Sequence, residues 1–157
     1  MIQVTLKGGV VKEYEAGITA ADVAKDLGMG LYKAACGCKV NGKVCDLRTP
    51  LSEDCHLAIL TFDDEEGKKI FWHTSSHLLA QAVKQLFPQA KLAIGPAIEN
   101  GFYYDFDVKT PFTTEDLAKI EAQMKKNAKA NPDLVRFELS PEEAKQKMEE
   151  AGEPYKV

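Results

Sequence analysis

The dipeptide Asn41-Gly42 restricts the fold of the first third of this chain more than any other feature of the sequence. Asparagine and glycine tolerate the positive φ angles of a type I′ turn, which joins two antiparallel strands through two residues. Val40 and Val44 flank the turn and favour extended backbone, because β-branched side chains pack well on a pleated sheet. The sequence therefore predicts a β-hairpin centred on Asn41-Gly42.

Alternation of apolar and polar residues predicts the strands that surround this hairpin. The first strand covers residues 2–7, a Gly8-Gly9 turn leads into a second strand over residues 10–14, and a closing strand begins at Cys55. These strands leave room for one helix between the second strand and the hairpin.

Thr19 and Asp22 predict the start of that helix, with a hydroxyl cap followed by an acid in the first turn. Gly28 is expected to end it in a left-handed conformation. The resulting order of strand, strand, helix, hairpin and strand predicts a ubiquitin-like β-grasp domain over residues 1–62.

The acidic run of residues 63–67 predicts a solvated linker or a helix entry and marks a domain boundary. A long helix is expected from Lys68 to Phe87, since Pro88 cannot continue it. Its apolar stripe contains the residues Phe71, Leu78, Leu79, Ala82, Val83 and Leu86.

The elements expected after this helix begin with a hairpin. It has a strand over 91–98 that is broken by Gly95-Pro96, a type I′ turn at Asn100-Gly101 and an alternating strand over 102–108. A helix over 114–130, an extended segment over 134–139, a capped helix from Ser140 to about Gly152 and an extended end over 153–157 are expected to follow. The chain is thus predicted to be α+β, with a second, partial α+β domain over residues 63–157.

Composition and charge exclude several classes of function. No apolar run reaches the roughly 20 residues that span a bilayer, and the N-terminus lacks a secretion signal, so we expect a cytoplasmic protein without membrane partners. The net charge of −4 argues against wrapping nucleic acid by bulk charge, although a local basic patch remains open.

Four cysteines, Cys36, Cys38, Cys45 and Cys55, lie in the first third of the chain. A reducing compartment keeps them as thiols. A zinc site is the alternative, but Cys36-Gly37-Cys38 lacks the spacing of common zinc knuckles and no second pair follows. We therefore predict buried thiols and no metal.

His73 and His77 are the strongest candidates for chemistry. They lie four residues apart on the long helix, so their imidazoles project from one face, which they share with Ala80 and Lys84. This spacing suits two ring nitrogens that converge on one water, one metal ion or one polar substrate group. A metalloprotease motif would place glutamate after the first histidine, where this chain has Thr74.

Three stretches resemble the editing domain of bacterial threonyl-tRNA synthetases. They are His73 to Leu79, Ala93 to Pro96 and Asn100 to Asp105, and the terminal Tyr155-Lys156-Val157 also matches that domain. The preceding β-grasp segment resembles the TGS domain at the start of those enzymes. The resemblance covers nearly the whole chain and implies a TGS domain over 1–62 and part of an editing domain over 63–157, truncated at its C-terminus.

The resemblance implies hydrolytic proofreading of threonine tRNA that has been mischarged with serine. It assigns His73 as general base or water-positioning group, His77 as the residue that orients substrate or His73, Lys156 as a contact to the terminal ribose or to developing charge, and Tyr104 as a pocket residue. In the family, a later Cys-Xaa3-His element completes the pocket, and this chain ends before any such element. The isolated chain is therefore expected to be inactive.

The resemblance also implies what lies outside this chain. The aminoacylation domain, with its ATP, magnesium and zinc, and the anticodon-binding domain are absent, and the parent enzyme is expected to form a homodimer through the missing parts.

Two alternatives to this function remain open. One is an RNA-binding or regulatory module built on the TGS domain, without catalysis, and the other is a metal-dependent hydrolase built on His73 and His77.

Overall fold

A computed structural model describes all residues from Met1 to Val157. The chain divides into two compact units, Met1–Phe71 and Trp72–Val157, and both mix helices with strands. The predicted α+β class is therefore confirmed. No helix combines the length and the apolar character needed to span a membrane. The predicted domain division at residue 62 stays a prediction.

The first unit is a five-stranded sheet with two short helices. Its elements are β1 (Ile2–Leu6), β2 (Val11–Tyr14), β3 (Ile18–Thr19), α1 (Ala20–Leu27), α2 (Met29–Ala34), β4 (Ala35–Val40), β5 (Lys43–Cys45), β6 (Pro50–Leu51), β7 (Cys55–Thr61) and the first part of α3 (Glu65–Leu86). The strand order is β2-β1-β7-β4-β5, and β3 pairs separately with β6. β1 and β7 run parallel at the centre of the sheet, whereas the other neighbours are antiparallel. This architecture confirms the predicted β-grasp domain.

The predicted turn chemistry holds at the β4–β5 hairpin. Asn41 and Gly42 have φ angles of 49° and 82°, as a type I′ turn requires. Asn41 also accepts a hydrogen bond from the backbone N–H of His56 on β7 through its side-chain oxygen, at 2.8 Å. The turn is thus joined to the neighbouring strand as well as closed by its own backbone.

The core of this unit lies between the sheet and α1. Its central cluster of buried side chains consists of Ile2, Val4, Ala20, Val23, Cys38, Leu51, Cys55 and Leu57. Thr19 caps α1 as expected, since its hydroxyl accepts the N–H of Asp22. Gly28 ends the helix with φ 151° and ψ 142°, a positive-φ conformation outside the left-handed helical region that we expected. Glycine adopts both regions because it has no Cβ.

The acidic run is a helix entry and not a linker. Asp64 accepts the backbone N–H of Thr61 at 2.8 Å through its carboxylate, and its own N–H donates to the Thr61 carbonyl at 3.0 Å. Helix α3 then begins at Glu65, three residues before the expected start, because acidic residues in a first turn favour the helix dipole. It ends at Leu86, one residue before the predicted end at Phe87 and two residues before Pro88.

The second unit contains the rest of α3 and a set of short elements. These are β8 (Lys91–Leu92), β9 (Ala97–Ile98), β10 (Gly101–Phe102), β11 (Phe106–Asp107), α4 (Thr114–Ala130), α5 (Pro141–Glu150) and a 3-10 turn at Pro154–Lys156, which we call the C-terminal turn. Its core is formed by Ala82, Val83, Ala90 and Ile120, with Leu79, Phe87, Phe106, Val108, Phe112 and Met124 packed around them.

The predicted apolar stripe of α3 is only partly correct. Ala82 and Val83 are fully buried, but Phe71 and Leu86 are 50% and 37% exposed. Ser76 and Ala80 are buried instead, at 1% and 5% exposure. Small side chains let the helix lie close to its neighbours, and periodicity counted from large apolar residues alone does not detect such a contact.

The four short strands form one interrupted hairpin. β8 pairs with β11, and β9 pairs with β10, both antiparallel. The alternation predicted over 102–108 is confirmed, since Phe102, Tyr104 and Phe106 are half-buried while Tyr103 and Asp105 are exposed. The predicted type I′ turn is wrong. Gly101 is a strand residue with φ 146°, and Asn100 has no positive φ, so the turn residues are Glu99 and Asn100.

Helices α4 and α5 confirm their predicted boundaries. Thr113 and Ser140 are their N-caps, and each forms a capping box with an acid three residues later, Asp116 and Glu143. Residues 131–140 contain no helix or paired strand. The expected extended end is wrong, because Pro154–Lys156 form a turn of 3-10 helix in place of a strand.

Candidate functional site

His73 and His77 contact each other directly on the exposed face of α3. Their Nε2 atoms lie 3.1 Å apart, and the two rings are nearly perpendicular, with an interplanar angle of 74°. One Nε2 must donate and the other accept at this distance, so the pair holds a single proton between the two rings. Ser76, buried one turn further along, donates its hydroxyl to the His73 carbonyl at 2.7 Å and fixes the backbone beneath the pair.

The surroundings of His77 favour its neutral form. Burial lowers the pKa of His77 below its ordinary value of 6.5, and the nearby charges of His73 and Lys156 lower it further. A neutral imidazole at pH 7 is able to accept a proton from water or from a hydroxyl group. His77 therefore has the charge state that general-base chemistry requires.

Lys156 and Tyr104 complete the group of candidate residues. The Lys156 ammonium lies over the Tyr104 ring, 5.6 Å from its centroid, and its charge acts on His77. Tyr104 stacks on Phe106 with ring centroids 4.9 Å apart. The structure thus brings all four predicted site residues to one region of the second unit, two from α3, one from the interrupted hairpin and one from the C-terminal turn. The roles assigned to them stay predictions.

Gly95 provides the space that Tyr104 occupies. A Cβ atom at residue 95 would lie only 2.0 Å from Cδ2 of the Tyr104 ring. The ring therefore packs directly against the backbone of Gly95 in the break between β8 and β9. Of the common residues, only glycine leaves this surface flat enough for an aromatic ring.

Substituting Gly95 by alanine is expected to displace Tyr104 while leaving the fold intact, because the aromatic ring is a movable side chain on the partly exposed segment between β10 and β11. The expected destabilisation is about 1–3 kcal/mol, as for other overpacked sites. Tyrosine fluorescence and the NMR shifts of the Tyr104 ring measure the displacement. Gly30→Ala is the matched control, since a Cβ there meets nothing within 4 Å. An unmoved ring in the Gly95→Ala variant would contradict this account.

Glu153 anchors the turn that carries Lys156. Its side chain is 6% exposed, its Oε1 forms an ion pair with Lys84 of α3, and its Oε2 accepts the backbone N–H of Leu92 on β8 at 2.8 Å. Lys84 also donates to the Ala90 carbonyl at 2.8 Å. One carboxylate thereby joins helix α3, strand β8 and the C-terminal turn.

Two further contacts support the same turn. Lys91 donates to the Gly152 carbonyl at 2.8 Å, and the Tyr155 hydroxyl donates to the Asp107 carboxylate at 2.8 Å. The aspartate raises the pKa of Tyr155, since it stabilises the protonated hydroxyl by a hydrogen bond and by its charge. The turn is therefore joined to both outer strands of the interrupted hairpin.

The pKa of Glu153 is below its ordinary value of 4.5. Burial by itself raises this pKa, but the hydrogen bonds from Lys84 and Leu92 and the positive charges of Lys84 and Lys91 outweigh burial. Because the folded-state pKa is the lower one, this carboxylate stabilises the fold above pH 4.5, and the stabilisation is lost as the pH falls from there through the folded-state pKa.

Replacing Glu153 with alanine is expected to lower the free energy of unfolding by roughly 2 kcal/mol at pH 7. This is below the 3–5 kcal/mol typical of a fully buried pair, because Lys84 is partly exposed. The difference between wild type and variant should disappear as the pH falls well below 4.5. Urea denaturation at several pH values measures both effects, and Glu150→Ala on the exposed end of α5 is the control. A difference that is independent of pH would contradict the assignment.

The Glu153–Lys84 pair is the part of the site that sequence reasoning missed. Lys84 was placed on the face of His73 and His77, but a lysine on a helix face gives no sign of its partner 69 residues later in the chain. The proline after Glu153 was the available signal, since it suits the first position of a short helical turn.

The region around the histidines is an open surface rather than an enclosed cavity. Both histidines are exposed residues, although the His77 ring is partly covered, and a shallow cleft beside them is lined by His77, Ala80, Gln81, Lys84, Gln85 and Leu92. No group of three or more histidine, cysteine, aspartate or glutamate side chains is arranged to hold a metal ion. What the geometry offers is a pair of bases and a cation that are accessible to a large substrate.

Comparison with known protein families agrees with the first unit. Residues 2–61 match the sequence profile of the TGS domain, and these residues include all seven strands of the first unit. The β-grasp architecture and the sequence match therefore describe the same part of the chain.

Comparison with individual proteins extends the similarity to the whole chain. The chain is similar to several proteins named threonine--tRNA ligase. The protein of Acetivibrio thermocellus is 59% identical over all 157 residues, and that of Clostridium tetani is 56% identical over the same length. The protein of Caldanaerobacter subterraneus subsp. tengcongensis is 58% identical over 154 residues. The aligned parts cover 25%, 24% and 25% of those proteins. The chain spans about a quarter of the length of the curated relatives it matches.

Proposed function

Because this chain is similar over its full length to the N-terminal region of bacterial threonine--tRNA ligases, we propose that it contributes tRNA contacts and part of a hydrolytic proofreading site to such a ligase. The substrate is threonine tRNA mischarged with serine. Serine is threonine without one methyl group, and one methyl gives a binding site only about 1–3 kcal/mol of discrimination. A second, hydrolytic step is the physical remedy for this limit.

The observation that carries the proposal is the contact between two imidazoles beside a lysine and a tyrosine. Hydrolysis of the aminoacyl ester needs a positioned water, a group that takes its proton and a positive charge near the developing oxyanion. His73 serves as the base or positions the water, and His77 holds the shared proton and orients His73. Lys156 supplies the positive charge, and Tyr104 forms one wall of the site.

The exposure of the histidine pair supports a limit on the activity of these 157 residues. A water held on an open surface is poorly oriented, and a loosely held site loses most of its rate advantage. We therefore expect little serine release from the chain alone. Aminoacylation, with its ATP, magnesium and zinc, belongs in this proposal to parts of the ligase outside these residues.

A chimeric ligase tests the proposal. Residues 1–157 replace the corresponding quarter of the Acetivibrio thermocellus enzyme, with which they share 59% identity. The chimera is expected to release serine from mischarged threonine tRNA at neutral pH and to leave correctly charged threonine tRNA intact. Threonylation by the same preparation is the control for folding. A chimera that threonylates normally but does not release serine would leave a tRNA-binding role without catalysis as the function.

Zinc titration separates the proposal from the metal-dependent alternative. Two imidazoles without a third ligand bind zinc weakly, so we expect no tight stoichiometric site on the chain. The variant with both His73 and His77 changed to alanine is the control. A tight zinc site in the wild-type chain that is lost in this variant would favour metal-dependent hydrolysis.

A further inference from the structure

The β-grasp unit contains a pair of thiols that face each other across two strands. Cys38 on β4 and Cys45 on β5 are directly opposite in the antiparallel register. Cys38 is fully buried, and Cys45 is half-buried and packs against the same apolar core. The two side chains therefore lie on the same face of the sheet, as opposite residues of an antiparallel pair do.

The spacing of this pair falls in the range that a disulfide spans. Opposite residues in antiparallel strands have Cα atoms about 4.5–5.5 Å apart, and disulfides join Cα atoms about 4.4–6.8 Å apart. The Cys38 sulfur already lies 3.5 Å from the carbonyl oxygen of Cys45. The Cys45 sulfur lies 3.4 Å from the carbonyl oxygen of Lys43, so both thiols must turn toward each other to form the bond. Strand β5 is short and lies at the edge of the sheet, so its adjustment moves no central strand.

The other two cysteines do not offer an equivalent partner. Cys38 is opposite Ile59 on β7, and Cys55 precedes Ile59 by four residues, which is about 13 Å along the strand. Cys36 precedes the residues of β4 that pair with β5, and its thiol donates to the Ala34 carbonyl at 3.6 Å. The register thus selects one pair from the four thiols.

We propose that Cys38 and Cys45 are a reversible oxidation site that forms a cross-strand disulfide with hydrogen peroxide as oxidant. The half-buried Cys45 thiol releases its proton and attacks one peroxide oxygen as the thiolate, and the O–O bond breaks to give sulfenic acid and hydroxide. The hydroxide takes up the released proton and becomes water. The Cys38 sulfur then attacks the Cys45 sulfur, the S–O bond breaks, and the oxygen leaves as a second water with the Cys38 proton. Two thiols are oxidised to one disulfide, and one peroxide is reduced to two waters.

The environments of the two thiols fix this order of events. Burial raises the pKa of Cys38 to about 11, and the proximity of Cys45, Asp46 and Cys55 adds to the effect. A thiol with so high a pKa is a poor first target for peroxide, because the thiolate is the reactive form. Cys45 is the more accessible of the two and reacts first, while Cys38 is held beside it as the resolving thiol.

Peroxide treatment of the 157-residue chain tests the proposal. We expect two of the four thiols to disappear and peptide mapping without reductant to show one link between Cys38 and Cys45. A dithiol reductant should restore both thiols. The link closes the hairpin in the unfolded chain, so the melting temperature of the oxidised chain should rise by about 5 °C.

Two serine variants make the test selective. Cys45→Ser is expected to lose both the link and the rise in melting temperature, whereas Cys36→Ser, also half-buried, should keep both. Three outcomes would each overturn the proposal. The first is a link that includes Cys36 or Cys55, and the second is oxidation of Cys45 to sulfinic acid without a link. The third is four unreacted thiols at a peroxide excess that oxidises the denatured chain.

Discussion

Replacing His73 by alanine in the chimeric ligase is expected to slow serine release from mischarged threonine tRNA by at least about 100-fold, the usual contribution of a general base. The substitution removes the imidazole whose Nε2 lies 3.1 Å from His77 and leaves the rest of the site in place. Threonylation should be unchanged, since the variant alters only an exposed side chain on α3. Single-turnover serine release at saturating enzyme measures the chemical step without the binding step.

The third histidine of the chain provides the matched control. His56 is exposed on β7 of the first unit, so His56→Ala removes an exposed imidazole and leaves the His73–His77 pair unchanged. It should change neither serine release nor threonylation. Equal rates for the His73→Ala variant and wild type would remove His73 from the proposed mechanism.

The pH dependence of the same reaction tests the state of His77. Because burial, His73 and Lys156 lower its pKa below 6.5, serine release should fall on the acid side of that lowered pKa and be level well above it. Changing Lys156 to methionine removes one positive charge near His77, so the acid limb should move to higher pH. A pH profile that does not move would mean that Lys156 has no influence on the titrating group.

Replacing Gly67 by alanine is expected to destabilise the first unit by at least about 3 kcal/mol, because the added methyl group has no space. Gly67 is buried in the first turns of α3, and a Cβ at this residue would lie 1.8 Å from the Thr61 carbonyl oxygen and 2.7 Å from its carbon. Both are backbone atoms, which a side-chain rotation does not move. The helix entry would have to shift away from the end of β7.

Thermal unfolding followed by circular dichroism measures this effect. A loss of about 3 kcal/mol corresponds to a melting temperature lower by about 10 °C in a chain of this size. Gly30→Ala is again the control, since Gly30 is exposed on α2, and alanine there should be neutral or stabilising by up to about 1 kcal/mol. Equal melting temperatures for wild type and Gly67→Ala would contradict the close approach of α3 to Thr61.

Local patterns of sequence determined much of this protein. The Asn41-Gly42 turn, the alternation of Phe102, Tyr104 and Phe106, and the capping boxes at Thr113 and Ser140 each depend on residues close together in the chain. Turn, strand and cap preferences act over a few bonds, so they are readable without the fold. The spacing of His73 and His77 belongs to the same class, because a helix alone places them on one face.

The tertiary structure decided the features that depend on residues far apart in sequence. The burial of Ser76 and Ala80 and the exposure of Phe71 and Leu86 depend on which surfaces meet α3. The partner of Glu153, the space beside Gly95 and the pairing of Cys38 with Cys45 depend on packing and register. Hydrophobic periodicity shows that a face is buried, but it does not show against which atoms. For that reason helical spacing indicated the two histidines and the family resemblance added Lys156 and Tyr104, but only the folded chain brought the four residues to one region.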